Sequence, residues 1–145
     1  MRVLGLDLGD RRIGVAVSDP SRLMSFPRET LFVSSQKEAL GEIRRLVEEG
    51  GIDTIVIGLP LNLDGSIGPR AIRTKEFAEL LKNEIDVTIE FWDERLTTKI
   101  AKRTLHDAGR TATRRDGQLD QMSAVLILQG YLDRQATSSK SREGP

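Results

Sequence analysis

The run "DTIVIGLP", residues 53–60, constrains the fold more than any other part of the sequence. Its centre is apolar or glycine at five consecutive positions, so it lacks the alternation of a strand with one solvated face, and it is short for a helix. A strand that is apolar on both sides must be covered on both sides, as parallel strands are in α/β proteins. The run therefore predicts an α/β fold with helices on both faces of a sheet.

The start of the chain predicts an antiparallel hairpin. Residues 2–9, "RVLGLDLG", and residues 13–19, "IGVAVSD", have the apolar and β-branched composition of strands. The connection "GDRR" is short, and short connections join antiparallel neighbours. A third strand is predicted at 28–33, "RETLFV", at an edge of the sheet.

Helices and strands alternate in the rest of the chain. Ser34 or Ser35 caps a helix over 36–50, which ends at two glycines. The pattern then predicts the buried strand at 53–60, a helix over 69–84, a strand over 87–94, and helices over about 95–108 and 118–134. The order βββαβαβαα predicts a mixed five-stranded sheet, in which the first three strands are antiparallel and parallel β-α-β units follow. That is the ribonuclease H-like arrangement.

Length and composition favour one domain. The 145 residues suit a single domain over residues 1–135, and "ATSSKSREGP" at 136–145 lacks apolar periodicity, which predicts a disordered tail. The chain has no cysteine, which excludes disulfides and thiolate metal sites. No apolar run approaches the roughly 20 residues that span a bilayer, and the N-terminus lacks the pattern of a signal peptide. We therefore expect a cytoplasmic protein with no membrane partner.

Charge is distributed unevenly along the chain. Residues 1–94 contain 12 Lys and Arg against 17 Asp and Glu, a net charge of −5, whereas residues 95–135 contain 8 against 4, a net charge of +4. A basic C-terminal third predicts an anionic partner such as nucleic acid. A solvated helix face would have the same composition, so the charge alone leaves both interpretations open.

Three carboxylates fall where strand ends and a helix start can converge. Asp7 lies inside an apolar strand, where a carboxylate is costly unless it is compensated. Glu94 ends the last strand, and Asp120 lies in the first turns of the last helix. The helix face of Asp120 continues with Ser123 and Ala124, and such small residues allow the helix to approach the sheet closely. The sequence therefore predicts that Asp120 lies near Asp7.

Clustered carboxylates favour a bound metal ion. They repel one another and raise one another's pKa, and a hard divalent cation removes this conflict. Oxygen ligands without Cys or His favour Mg²⁺ or Mn²⁺ over Zn²⁺, and such sites serve phosphoryl chemistry. Asp7, Glu94 and Asp120 are therefore the candidate catalytic residues and metal ligands. The alternative role for each is a helix cap or a surface charge.

Four segments of the chain resemble the YqgF family. They are, in order over residues 5–133, "GLDLGDRRIGVAVSD", "IVIGLPLNLDGSIGPRA", "FWDERLTT" and "LDQMSAVLILQGYLD". The family, also called RuvX-like, is described as Holliday junction resolvases or as nucleases that mature the precursor of 16S ribosomal RNA. The resemblance implies the ribonuclease H-like fold, magnesium dependence, and an acidic triad that falls on Asp7, Glu94 and Asp120.

The number of metal ions depends on a fourth acid. Many ribonuclease H-like nucleases have one, and in the resolvases it lies one helical turn from the last Asp. Here the positions one turn from Asp120 are Gly117 and Ser123. Asp116 is a candidate, although it serves equally well as a helix N-cap. One metal ion and two therefore both stay open.

Basic residues are candidate contacts to a nucleic-acid backbone. They are, in chain order, Arg11, Arg12, Lys99, Lys102, Arg103, Arg114 and Arg115. Lys99, Lys102 and Arg103 share one predicted helix face, and contacts of this kind hold phosphates without reading sequence. The two arginines of the hairpin turn either contact the substrate or offset Asp10.

The loop "GLPLNLDGS" is a further candidate for substrate binding. Its glycines permit a tight turn and a close approach to the backbone, but it lacks the Lys-Ser/Thr ending of a P-loop. On the family resemblance, we assign Asn62, Ser66 and Arg70 to binding of nucleic acid. The alternative is a turn that leads into a helix whose first residue is Pro69.

The leading function is a metal-dependent nuclease on structured nucleic acid, with precursor ribosomal RNA favoured over a four-way DNA junction. A nucleotide-binding phosphotransferase is an alternative, since sugar kinases and actin open with a similar Asp-x-Gly hairpin, but that group needs two such domains. A binding module without catalysis is another, which the three retained acids oppose. A resolvase would be a symmetric homodimer because it cuts two strands. No apolar patch in the sequence requires a dimer, so monomer and homodimer both stay open.

Overall fold

The computed structural model describes residues 1–96 and 117–143, and within its last helix it describes the side chains of residues 121–138. The elements in this part of the chain are β1 (Arg2–Leu8), β2 (Arg12–Ser18), β3 (Ser25–Phe32), α1 (Gln36–Gly50), β4 (Ile52–Leu59), α2 (Pro69–Glu84), β5 (Thr88–Asp93) and α3 (Gly117–Glu143). Residues 94–96, directly after β5, are also helical. The rest of the helix predicted over 95–108 lies outside the described residues.

The strands form one mixed sheet in the order β3-β2-β1-β4-β5. β1 pairs antiparallel with β2, and β2 pairs antiparallel with β3. β4 pairs parallel with both β1 and β5. The predicted topology is confirmed, including the edge position of β3. The apolar run at residues 53–60 forms most of β4, the strand with a parallel neighbour on each side.

The two faces of the sheet carry separate apolar cores. α1 and α2 cover one face, where Ile55 and Ile57 of β4 are fully buried. α3 covers the other face, where Val56 of β4 packs with Ile127 and Leu128. Because successive strand residues point to opposite faces, an uninterrupted apolar run is what a strand between two helical layers requires.

The ends of α1 agree with the predicted capping. The Ser35 hydroxyl oxygen accepts a hydrogen bond from the Glu38 backbone N–H at 3.1 Å, and the Ser34 hydroxyl donates to the Glu38 carboxylate at 2.7 Å. The first of these bonds satisfies a backbone donor that an isolated helix start leaves open. Gly51 ends the helix in the left-handed conformation, with φ of 63°.

The direction of α3 follows from its contacts with β3. The Gln129 side chain accepts a hydrogen bond from the Ser25 backbone N–H at 2.9 Å, whereas the Gln121 side chain donates to the Arg28 carbonyl at 2.9 Å. β3 and β1 run the same way, since both are antiparallel to β2. The first turn of α3 therefore lies at the sheet edge where β1 ends.

α3 packs directly on the backbone of β1. A Cβ atom at Gly5 would lie 2.8 Å from the Leu128 Cβ and 3.3 Å from the Ala124 carbonyl oxygen. Both distances are shorter than ordinary contacts, so only glycine fits at this position without a shift. The predicted close approach of the helix face that carries Ala124 is confirmed.

Two element boundaries differ from the sequence prediction by three residues or more. β3 begins at Ser25, three residues before the predicted start, and includes Pro27. An edge strand tolerates a proline because one of its sides has no strand to receive an N–H donor.

The end of α3 corrects the predicted tail. Disorder was predicted from residue 136, whereas the helix continues to Glu143. The segment contains no glycine or proline before Gly144, and the Thr137 hydroxyl donates to the Asp133 carbonyl at 3.1 Å within the helix. Residues 133–138 of this helix are mostly exposed, so apolar periodicity is a poor guide to where the helix ends.

No helix in the described part of the chain is long and apolar enough to cross a membrane.

Replacing Gly5 with alanine tests the packing of α3 on β1. We expect Gly5→Ala to lower the free energy of unfolding by about 1–3 kcal/mol, because the new methyl group forces Leu128 or the α3 backbone to move. Gly41→Ala is the matched control: this glycine is exposed in α1, and a Cβ atom added there would have no neighbour within 4 Å. The control should raise stability by about 0.5–1 kcal/mol. Urea unfolding measures both, and equal midpoints for wild type and Gly5→Ala would contradict the packing.

Candidate functional site

Asp7 and Glu94 lie together at one edge of the sheet. Asp7 is the second-last residue of β1, and Glu94 directly follows β5. Since β1, β4 and β5 are parallel, their carboxyl ends meet at this edge. The two carboxyl groups are joined by a side-chain hydrogen bond. The structure thus brings together two of the three acids that the sequence predicted.

Gly58 of β4 makes this contact possible. β4 lies between β1 and β5, and a Cβ atom at Gly58 would lie 2.8 Å from Glu94 Cγ and 2.9 Å from Glu94 Cδ. The Glu94 side chain therefore lies across the backbone of β4. Sequence reasoning missed this role of Gly58, although a glycine near the end of an apolar strand is a known sign of close approach.

Burial and charge act together on Glu94. Burial, followed by the negative charge and hydrogen bond of Asp7, raises the pKa of Glu94 from 4.5 to about 8. The charge of Asp93 adds to this effect, and the charge of Arg70 opposes it. At neutral pH and without a cation, Glu94 is therefore mostly protonated and its O–H donates to the Asp7 carboxylate. The pair has a place for one proton or one positive charge between its oxygens.

Arg70 is the predicted binding residue whose charge acts on Glu94. It is exposed in the first turn of α2. A cavity of about 930 Å³ opens beside Glu94, and its lining includes Arg70, Pro60 and Leu61. An anion in this cavity would meet both the Arg70 guanidinium and the Glu94 carboxyl group.

Asn62 and Ser66 hold the loop before α2 in shape. The Asn62 side-chain amide donates to the Ser66 hydroxyl at 2.9 Å, and the Asn62 backbone N–H donates to the Ser66 carbonyl at 3.0 Å. The Ser66 hydroxyl and backbone N–H both donate to Asp64. Both residues are exposed, and their predicted contact with nucleic acid stays a prediction.

Arg95 is a site residue that sequence reasoning missed. Its guanidinium binds the Asp93 carboxylate, with the shortest N–O distance 2.7 Å, and donates to the Leu63 carbonyl at 3.2 Å. The hydrogen bond from Arg95 lowers the pKa of Asp93. The pair ties the loop before α2 to the end of β5. The signal in the sequence was the "DER" triplet, in which only the Glu was singled out.

The other predicted residues lie partly within and partly outside the described part of the chain. Arg11 is exposed in the turn after β1 and Arg12 is exposed at the start of β2, at the same edge as Asp7, and their contact with substrate stays a prediction. Lys99, Lys102, Arg103, Arg114 and Arg115 lie outside the described residues. Asp120 occupies the first turn of α3, whose backbone lies at the Asp7 edge, but its side chain also lies outside the described part.

No group of three His, Cys, Asp or Glu side chains forms a metal-binding cluster among the described residues. The described site is a carboxyl pair, and its completion by Asp120 stays a prediction.

A family model described as RuvX, Holliday junction resolvase, matches residues 1–134. The chain belongs to the RuvX family. A relative from Acetivibrio thermocellus is 47% identical over 135 residues, which cover 92% of this chain and 96% of that protein. A relative from Halothermothrix orenii is 42% identical over 135 residues, with 93% and 96% covered. Both carry the name "Putative pre-16S rRNA nuclease". The resemblance seen in the sequence motifs is confirmed.

The fold is also that of a solved resolvase. RuvC from T. thermophilus, in complex with a Holliday junction substrate, superposes with a TM-score of 0.56 over 94% of this chain and 97% of its own. The two sequences are 16% identical, so the likeness concerns the fold. It confirms the ribonuclease H-like arrangement.

Metal-free unfolding at different pH values tests the state of Glu94. Its unfolded carboxyl loses a proton near pH 4.5 and its folded carboxyl near pH 8. Between these values the folded state holds a proton that the unfolded state has lost, so the stability of the wild type falls as pH rises. We expect Glu94→Gln to become increasingly more stable than the wild type from pH 5 to pH 8. Above pH 8 the difference in stability should stay constant.

The matched control for this series is Glu79→Gln, which removes an exposed glutamate from α2. Melting temperatures in EDTA give the comparison. A difference between Glu94→Gln and wild type that is constant across the series would contradict the raised pKa of Glu94.

Proposed function

We propose that this chain is a metal-dependent nuclease that hydrolyses phosphodiester bonds of structured nucleic acid, with the precursor of 16S ribosomal RNA as substrate. The observation that carries the proposal is the contact of Asp7 with Glu94 over the bare backbone of Gly58. Two half-buried carboxyl groups in contact oppose folding without a cation, and such arrangements are typical of catalytic sites.

The residues fit a hard divalent cation. Asp7 and Glu94 offer carboxylate oxygens, which Mg²⁺ and Mn²⁺ prefer, and the proton that they share without metal occupies the place of a positive charge. Position 120 supports a third ligand, because the first turn of α3 lies at the edge where β1 ends. We therefore propose Asp7, Glu94 and Asp120 as metal ligands.

The protein's own groups then position the substrate. A cation held by these carboxylates would activate water at neutral pH and would stabilise the negative charge that develops during phosphodiester hydrolysis. Arg70 offers a guanidinium to a substrate phosphate beside the acids, and such contacts hold the backbone without reading sequence. The Arg95–Asp93 pair keeps the loop before α2 against the end of β5, so the walls of the adjoining cavity are fixed before substrate arrives.

The choice of substrate follows the relatives. The relatives from A. thermocellus and H. orenii are named for the 16S ribosomal RNA precursor, and this favours RNA. The family description and the RuvC complex name the Holliday junction, which makes four-way DNA the second candidate. In either case we propose a cytoplasmic enzyme whose partner is nucleic acid.

Substitution of the acids tests the proposal. Asp7→Asn and Glu94→Gln keep the shape of each side chain but remove a negative charge from the site. We expect each to reduce cleavage by on the order of a hundredfold or more, because charge stabilisation in the transition state is lost. The matched control Asp86→Asn removes an exposed carboxylate before β5, at the opposite edge of the sheet, and should leave cleavage unchanged.

Precursor ribosomal RNA and four-way junctions are assayed in parallel, in Mg²⁺ and then in EDTA. Cleavage of precursor RNA only in Mg²⁺ supports the proposal, and cleavage of junctions alone supports the second candidate. Folded acid variants that cut as fast as the wild type would overturn the assignment of the site.

A further inference from the structure

A second cavity lies on the face of the sheet opposite to α3. It has a volume of about 320 Å³ and lies between the first turns of α1 and α2 and the turn after β1. Its floor is apolar and includes Leu8, Ile13, Ala39 and Phe77. This volume is at the small end of the range for small-molecule sites.

One face of α2 forms a wall of this cavity. Along the helix, the side chains on this face change from cationic to apolar. Arg70, Arg73, Thr74 and Phe77 follow the spacing i, i+3, i+4, i+7 and therefore share one face of the helix. Arg73 makes no hydrogen bond or ion pair with any described residue. Asp10 contributes the single carboxylate of the described lining, so two guanidinium groups give the rim a net positive charge.

The cavity adjoins the carboxyl pair across the edge of the sheet. Asp7 and Leu8 are consecutive in β1, so their side chains point to opposite faces. Leu8 lines the cavity, whereas Asp7 contacts Glu94. Arg70 lines both this cavity and the larger one beside Glu94. A nucleic-acid strand with a phosphate at the acids would therefore reach the cavity with an adjacent nucleotide.

We propose that this cavity binds one unpaired nucleotide of the substrate strand, next to the phosphate that is cut. The base lies on the apolar floor beside Phe77, and its phosphate lies on the α2 side, at Arg70 and Arg73. This inference rests on the proposed function and adds a substrate class to it: strands with an unpaired nucleotide beside the cut site. A fully paired duplex cannot fill the cavity without breaking a base pair.

The mixed lining distinguishes a nucleotide from simpler anions. Inorganic phosphate would use the arginines but leave the apolar floor in contact with water. A nucleoside would use the floor but not the arginines. Asp10, on the turn after β1, repels a phosphate, and this places the phosphate at the α2 side. A nucleotide contacts both parts of the lining, because its phosphate binds the arginines and its base covers the apolar floor.

Binding in EDTA tests the proposal without any cleavage. Uridine 5′-monophosphate, uridine and inorganic phosphate are titrated separately into the intact protein, and backbone amide shifts of Gly9, Ala39 and Thr74 report on the cavity. We expect the monophosphate to bind most tightly. Arg73→Gln should weaken it by about tenfold or more, as expected for loss of a charged hydrogen bond.

Two further variants localise the binding. Lys75→Gln is the matched control, since it removes the same charge from an exposed position of α2 outside the cavity lining, and it should have little effect. Ala39→Leu fills the cavity and should abolish binding. Thermal melts check that each variant is folded, and Arg73→Gln keeps the test valid if Ala39→Leu does not fold.

Competition identifies the source of the nucleotide. A single-stranded oligouridine should displace the monophosphate, and a blunt duplex of equal length should not. The proposal is overturned if phosphate binds as tightly as the monophosphate, if Lys75→Gln weakens binding as much as Arg73→Gln, or if the duplex competes equally well. Because these measurements need no cleavage, an inactive protein that binds the monophosphate would contradict the proposed function, whereas an active protein that does not bind it would contradict only the nucleotide site in this cavity.

Discussion

The contact between the carboxyl groups of Asp7 and Glu94 is the constraint on which the rest of the site depends. Two like charges do not stay together in a half-buried place unless a proton or a cation lies between them. The fold holds them there because β1 and β5 end at the same edge of the sheet and Gly58, on the strand between them, has no side chain. The close packing of α3 on Gly5 adds to this arrangement. The stability lost at this pair is offset by two apolar cores, one on each face of the sheet.

The two arginines beside the carboxyl pair have different roles. Arg95 is bound by Asp93 and the Leu63 carbonyl, so it stabilises the loop before α2. Arg70 has no such anchor among the described residues and faces both cavities of this edge. One guanidinium therefore shapes the site and the other is available to a phosphate. This division suits an enzyme that must hold a polyanion beside its own carboxylates.

Much of this arrangement could be predicted from the sequence, because the apolar run at 53–60 requires cover on both faces and Asp7 is anomalous in its strand. The role of Gly58 was not predicted. A glycine in a strand indicates a close approach, but the sequence does not identify the side chain that lies over it. Arg95 was missed since its partners come from a strand end and a distant loop. The length of α3 was underestimated because residues 133–138 are mostly exposed and have no apolar periodicity.

Proton release on addition of metal tests the central claim most directly. At pH 7 without metal, Glu94 holds a proton, since burial and Asp7 raise its pKa to about 8. A cation bound by both carboxylates must displace that proton. Titration of Mg²⁺ into the metal-free protein in weak buffer should release about one proton per bound ion, and Glu94→Gln should release none. Saturable binding of Mg²⁺ with no proton released from the wild type would contradict the account.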